Sequence, residues 1–348
     1  MEYRILGKTG LRVSRVGFGG IPIQRIDAAG TKALVERLLE AGVNYIDTAR
    51  GYTVSESYLG EALAGVRDRF VLATKSMART KTAMAQGIET SLSNLRTGYI
   101  DLYQVHNPNM AQLEQVVGAG GALEALLEAK AAGKIGHIGL TAHSREVFEK
   151  ALELDWVETI MFPYNIVETQ GEALIRACTE KNIGFIDMKP PAGGAFEDGA
   201  LAMRFIVSNP DVTVVIPGMA ELREIDENVA AAARTEPLDE AETRGVEAVR
   251  EAKLCQEGKA TPDMLAGATF TVSNVGSLGV EMFTPIINPP QVGILGVCGT
   301  ITRIKEVNGE IKPYQAMPLC LTYDHRAVDG SPASRFMKEL CSALENFP

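Results

Sequence analysis

From residue 13 to about residue 235, short apolar runs alternate with longer stretches in which apolar residues recur every three or four positions. The short runs read as strands: VSRVGFGG, NYIDTA, FVLATKS, DLYQVHN, HIGLTAH, TIMFPYN, GFIDMKP and VTVVIPG. Stretches such as TKALVERLLEAG, GALEALLEAKAAG and GEALIRACTEKN read as amphipathic helices between them. Eight strands with helices in alternation predict a parallel α/β protein closed as a (β/α)8 TIM barrel. Gly42, Gly133 and Gly184 each follow a helical period and precede a strand, so each is expected to stop a helix. The leading segment YRILGKTGLRV, with Thr9 and Gly10 at its centre, predicts a hairpin laid across the barrel floor.

Beyond ELREIDENVAAAA the alternation stops and longer β-rich runs take over: ATFTVSNVG, QVGILGVCGTITRIKEV and EIKPYQAMPLCLTYDH. Asn308-Gly309 between two alternating runs predicts a tight hairpin. SPASRFMKELCSALENF predicts a closing amphipathic helix capped by Ser331 or Asp329. The expected organisation is a barrel over residues 1–252 and a smaller α+β module over 253–348, with the helix LDEAETRGVEAVREAKLCQEG running through the junction.

A chain of 348 residues, 46% of them hydrophobic, has enough apolar material for one large core and one small one. The net charge of -10 lies mostly in the barrel, and neither part offers a basic footprint for nucleic acid. The five cysteines form no CxxC pair, and an odd number in so long a chain predicts free thiols in a reducing, cytoplasmic compartment. No basic-then-apolar leader and no run of ~18 apolar residues is present, which predicts a soluble protein with no membrane partner.

In a β/α barrel the reactive groups sit at the carboxyl ends of the strands. Asp47 ends NYID, Lys75 ends VLATK, His106 ends LYQVH, and Tyr52 lies in the loop after the second strand. Singly, such residues are as readily a helix cap, loop packing or a core histidine. Together, on three successive strands, they point to chemistry.

The stretch GVNYIDTARGYTVSESYLGEAL, followed by VLATKS and DLYQVHNP, resembles the aldo-keto reductases over about residues 1–235. The family's catalytic tetrad falls on Asp47, Tyr52, Lys75 and His106. The resemblance implies hydride transfer from a nicotinamide to an aldehyde or ketone, with Tyr52 protonating the oxygen. Lys75, paired with Asp47, is expected to lower the tyrosine pKa, and His106 to hold the carbonyl oxygen. The resemblance also assigns cofactor contacts, with departures. Thr141, with His143 nearby, stands where the family has a Ser-Asn pair. Asn165 follows a Met where the family has Gln, and Lys189 replaces a stacking aromatic, as in a branch with a Met-Lys-Pro segment. After strand eight, Gly218, Met219, Arg223, Glu227 and Asn228 form the expected phosphate end. NADP is the implied cofactor and NAD its competitor, because Arg223 is the one basic residue there.

GATFTVSNVGSLGVEMFTPIINPPQVGILGV and LCLTYDHRAVDG resemble the C-terminal part of a dihydrolipoamide acyltransferase catalytic domain, of chloramphenicol-acetyltransferase-like fold. That resemblance implies His325 as the base acting on the thiol of coenzyme A or dihydrolipoamide, Ser273 as the oxyanion donor, and Asp329 as an orienting ion-pair partner. It also implies trimer-type contacts between copies. A stretch of ~95 residues is less than half of such a domain, so acyl transfer and coenzyme A binding stand as the alternative to carbonyl reduction. A gene-fusion remnant, a constructed chimera and an assembly module are equally open.

Overall fold

The computed structural model describes residues 1–188, 199–234, 236–261, 264, 267–307 and 309–346. They divide into two compact units, Met1–Gln256 and Glu257–Pro348. The expected boundary near residue 252 falls inside the last helix of the first unit.

The first unit opens with an antiparallel hairpin, β1 (Tyr3–Ile5) and β2 (Arg12–Ser14). Eight parallel strands follow: β3 (Phe18–Gly19), β4 (Tyr45–Asp47), β5 (Val71–Ser76), β6 (Ile100–His106), β7 (Ile135–Thr141), β8 (Thr159–Pro163), β9 (Gly184–Met188) and β10 (Val214–Ile216). Bridges from Val16 to Val215 and from Gly19 to Gly218 join the first strand to the last. The predicted first strand is split, because its leading residues pair in the hairpin and leave two for β3.

The helices on the outside are α1 (Ala28–Glu40), α2 (Ser55–Ala62), α3 (Lys81–Asn94), α4 (Met110–Val117), α5 (Ala122–Ala131), α6 (Arg145–Ala151), α7 (Glu172–Glu180), α8 (Gly199–Val207), α9 (Leu222–Ala231) and α10 (Glu240–Gln256). Local sequence starts several of them. Asp27 accepts from Gly30 N at 2.7 Å to cap α1, and Asn109 and Gln112 form a reciprocal capping box on α4. Gly42 and Gly133 stop their helices in the left-handed conformation, as expected. Gly184 does not: Asn182 takes the left-handed turn after α7, and Ile183 N donates back to Cys178 O at 2.8 Å. Asparagine tolerates positive φ, so the turn closes two residues early. Gly184 instead begins β9, where a Cβ would lie 2.7 Å from the Leu6 side chain.

Leu6 and Val13 of the hairpin segment join Tyr45, Ala73, Leu102, Met161, Ile186 and Val214 in one buried cluster inside the barrel. The hairpin is therefore an apolar plug that covers the barrel's amino end. Arg15 closes the seam between β3 and β10. Its buried guanidinium donates to Val207 O at 2.6 Å, to Asn209 O at 2.9 Å and to Val212 O, and burial pulls its pKa down to about 9.

The second unit holds β11 (Thr271–Asn274), β12 (Gly293–Val297) and β15 (Leu319–Tyr323) in one sheet, ordered β11-β12-β15. β13 (Ile301–Val307) and β14 (Glu310–Ala316) form a separate ribbon, and α11 (Gly330–Glu345) closes the unit. Each of the two long β-rich runs thus serves two sheets, breaking around Cys298-Gly299 and Met317-Pro318. Of the expected Asn308-Gly309 turn, Asn308 lies outside the described residues, and Gly309 has a φ of 83°. Asp329 occupies the cap position of α11 without a side-chain cap bond.

Candidate active site

β4, β5 and β6 are adjacent and in register, Asp47 opposite Ala73 and Lys75 opposite Gln104. Alternation then carries Asp47, Lys75, Gln104 and His106 to the inner, carboxyl end of the barrel. Lys75 and Asp47 are both buried and form an ion pair, and Lys75 Nζ also donates to Thr48 O at 2.9 Å. Gln104 Nε2 donates to the other Asp47 oxygen at 3.0 Å. Burial raises the Asp47 carboxyl above its ordinary range, and the bonds from Lys75 and Gln104 pull against it.

Tyr52 reaches this cluster from the loop before α2. The Lys75 ammonium stands 4.9 Å from its ring centroid, and the His106 ring meets it edge-on at 6.2 Å. The loop is tied at both sides of the tyrosine. Arg50 N donates to Lys75 O at 2.9 Å, and its guanidinium pairs at 2.5 Å with Glu56, which is buried and also accepts from Thr74 and Ser91 at 2.8 Å. Thr53 adopts a positive φ of 38° at the loop's tip.

The expected lowering of the Tyr52 pKa is corrected here: burial raises it above 10.0, outweighing the opposite pull of Lys75. His106 is pushed down to about 4, first by burial and then by the cations of Lys75 and Arg79 and by His143. Its imidazole is neutral at ordinary pH. Arg79 fixes the strand end beneath it, donating to His106 O at 2.7 Å.

Beside the tetrad, Asn107 N donates to Thr141 Oγ1 at 2.9 Å, and Asn107 Oδ1 accepts from His143 N at 3.2 Å. Asn165, buried, accepts from Val167 N and Glu168 N and shapes the loop after β8. Lys189 lies outside the described residues. At the far end, Gly218 is exposed, Met219 is buried, and Asn228 donates to Glu224 O at 2.7 Å. Arg223 faces two carboxylates, Glu221 and Glu227, each at 3.7 Å. Glu224 meanwhile accepts from Ala220 N at 2.6 Å and Glu221 N at 2.9 Å, holding the two amides just before α9. Gln104, Arg50, Glu56 and Arg79 were absent from the sequence reading. Of these, Gln104 carried a signal, since it stands two residues before His106 on one strand and shares its face.

In the second unit, His325 is exposed, its Nδ1 is 3.6 Å from Asp329 Oδ1, and its ring is 5.7 Å from Tyr323. Arg326 pairs with Asp324 instead, at 2.6 Å, and holds that carboxyl at about 2. Ser273 is level with Gly296, and Gly296 with Cys320. Ser273 therefore sits two strands across from β15 and five residues short of His325, roughly 15–20 Å away at ordinary strand spacings. One copy of the chain does not bring the two together.

A closed parallel barrel with an ionisable cluster at the carboxyl ends of its strands is the architecture of a barrel enzyme. Residues 15–200 match the family model for the aldo/keto reductase family. The chain belongs to that family, and its barrel is that of a nicotinamide-dependent oxidoreductase. L-galactose dehydrogenase of Arabidopsis thaliana is 28% identical over 308 residues, covering 72% of this chain and 95% of that protein. The solved structure of an aldo-keto reductase from Bacillus halodurans in its holo form superposes with a TM-score of 0.64 at 25% identity, over 72% of this chain and 96% of that one.

Residues 241–348 match the model for the 2-oxoacid dehydrogenases acyltransferase catalytic domain. The dihydrolipoyllysine-residue acetyltransferase component of the acetoin cleaving system of Bacillus subtilis is 46% identical over 94 residues, covering 27% of this chain. The chain spans only 24% of the length of that relative.

Proposed function

We propose that the barrel reduces an aldehyde or ketone with Tyr52 as the proton donor. What supports this is the convergence of Asp47, Lys75, Tyr52 and His106 on one end of the barrel, with the Lys75 ammonium facing the tyrosine ring. The donor set suits a nicotinamide dinucleotide. Thr141, His143 and Asn165 would hold its nicotinamide end, and the exposed Gly218 backbone and Arg223 its phosphates. When bound, that cofactor supplies the hydride.

Tyr52 gives its proton to the carbonyl oxygen as negative charge develops there. Lys75 favours the phenolate left behind, and Asp47 fixes the ammonium in place. Neutral His106 donates a hydrogen bond to the same oxygen without adding charge. The raised Tyr52 pKa keeps the donor protonated at neutral pH, so the pull of Lys75 takes effect as the proton leaves.

NADP is the family's usual cofactor, but Glu221 and Glu227 both face Arg223, which favours use of NAD as well. The free thiols accord with a cytoplasmic protein. Among the described residues, no helix is long and apolar enough to cross a membrane. Self-association through the second unit is supported by exposed apolar side chains such as Leu278, Met282 and Ile286, the last 89% exposed, and light scattering measures it. The test of the main reading is Tyr52→Phe, expected to lower turnover by roughly 10² to 10⁴ while cofactor binding persists. Wild-type rates across several aldehydes would sink the assignment.

A further inference from the structure

In the second unit Cys320 lies on β15, and Cys298 directly follows the end of the neighbouring β12. β12 pairs with β15 so that Gly296 faces Cys320 and Val297 faces Leu319, and Cys298 N then donates to Pro318 O at 3.1 Å. Cys298 lies two residues beyond Gly296, which puts its side chain on the face that carries Cys320, diagonally across the strand pair. The two sulfurs are 3.8 Å apart, about 1.8 Å longer than a disulfide bond. Cys298 is buried and Cys320 half-buried. One sulfur can thus meet a reagent from solvent while its neighbour waits beneath it.

We propose that Cys298 and Cys320 are a reversible dithiol–disulfide pair, oxidised by low-molecular-weight disulfides. The Cys320 thiol loses its proton to water, and the thiolate attacks one sulfur of the small disulfide. A mixed disulfide forms on Cys320 and one small thiolate leaves. Cys298 then loses its proton and attacks Cys320 Sγ, which expels the second small thiolate and completes the intramolecular bond. Two protein thiols are oxidised and one small disulfide is reduced to two thiols. Burial raises the Cys298 pKa, which suits it to the second, intramolecular step, where proximity replaces thiolate abundance. Cys178 is buried in the barrel core.

The oxidised form ties β15, the strand that leads into His325, to the central strand of its sheet. It also closes a covalent loop around the whole β13–β14 ribbon.

The test treats the full-length chain with glutathione disulfide, blocks remaining thiols by alkylation, digests without reductant and maps the peptides by mass. The expected result is a Cys298–Cys320 linked peptide in most chains, lost on adding dithiothreitol. In Cys298→Ser the glutathione adduct should accumulate on Cys320. Recovery of both cysteines as alkylated thiols in the wild type, or as separate glutathione adducts, would overturn the proposal, as would linkage of either to a different cysteine. The wild-type map decides the matter even if the serine variant fails to fold.

Discussion

Gln104 donates from Nε2 to Asp47 Oδ1 at 3.0 Å, taking the carboxylate oxygen opposite the one that faces Lys75. Asp47 is wholly buried, so its charge persists only because both oxygens have partners. Replacing Gln104 with Leu removes one of them at nearly constant volume. A hydrogen bond to a buried charge is worth about 1.5–3 kcal/mol, so Gln104→Leu should lower turnover by roughly 10- to 100-fold. Steady-state reduction of a small aldehyde checks this, and a rate within twofold of wild type would mean that Lys75 alone secures Asp47.

Reduction should be insensitive to pH over a wide span. Tyr52, raised above 10.0 by burial, stays protonated, and His106, held at about 4, stays neutral. The alkaline limb of kcat/KM should therefore begin only above about pH 10. The same histidine sets a stability trend. Its folded pKa lies below the unfolded value of 6.5, so the unfolded chain binds its proton first. Stability should fall as pH drops from about 6.5 to 4 and then level off with respect to this group. Urea midpoints measured against pH should show a shallower slope for His106→Gln than for wild type.

The two nicotinamide cofactors should be weakly distinguished. Arg223 is mostly exposed and has a carboxylate on each side, so little of its charge is left for a 2'-phosphate. NADPH should be preferred over NADH by less than ~100-fold, or about 2.7 kcal/mol. Glu221→Gln with Glu227→Gln should lower the KM for NADPH several-fold and leave that for NADH unchanged. A wild-type preference beyond that bound would require a further cation at the phosphate.

The second unit should not transfer acetyl groups from acetyl-CoA to dihydrolipoamide as a single copy. A base and an oxyanion donor act together only when both reach one thioester, and Ser273 lies on one edge strand, β11, while His325 lies in the turn after the other, β15. An acetyl-transfer rate above background that vanishes in His325→Ala would contradict this.

The barrel was legible because its period is long and repeated, and because Asp47, Lys75 and His106 each end an apolar run. Less legible were features set by partners far along the chain. VSRVGFGG reads as one strand, yet its first residues bond to the hairpin, a pairing that local pattern does not encode. Gly184 looks like a helix stop, whereas its small size serves the approach of Leu6 from 178 residues away in sequence. The direction of the Tyr52 shift depends on how much water the folded loop excludes, and no motif reports that. Glu56 sits in SESYLGEA as an ordinary surface-type residue, and only the fold turns it inward to Arg50, Thr74 and Ser91.

Arg15 imposes an order on biosynthesis. Its carbonyl partners begin at Val207, 192 residues later, so its guanidinium has no fixed seat until most of the barrel has left the ribosome. At ~5–20 residues per second that is a wait of roughly 10–40 s. During that interval the first strand has neither its last neighbour nor its anchoring carbonyls. The ring is clasped late, and what precedes the clasp is an open, growing sheet whose leading edge the emerging chain must keep from pairing elsewhere.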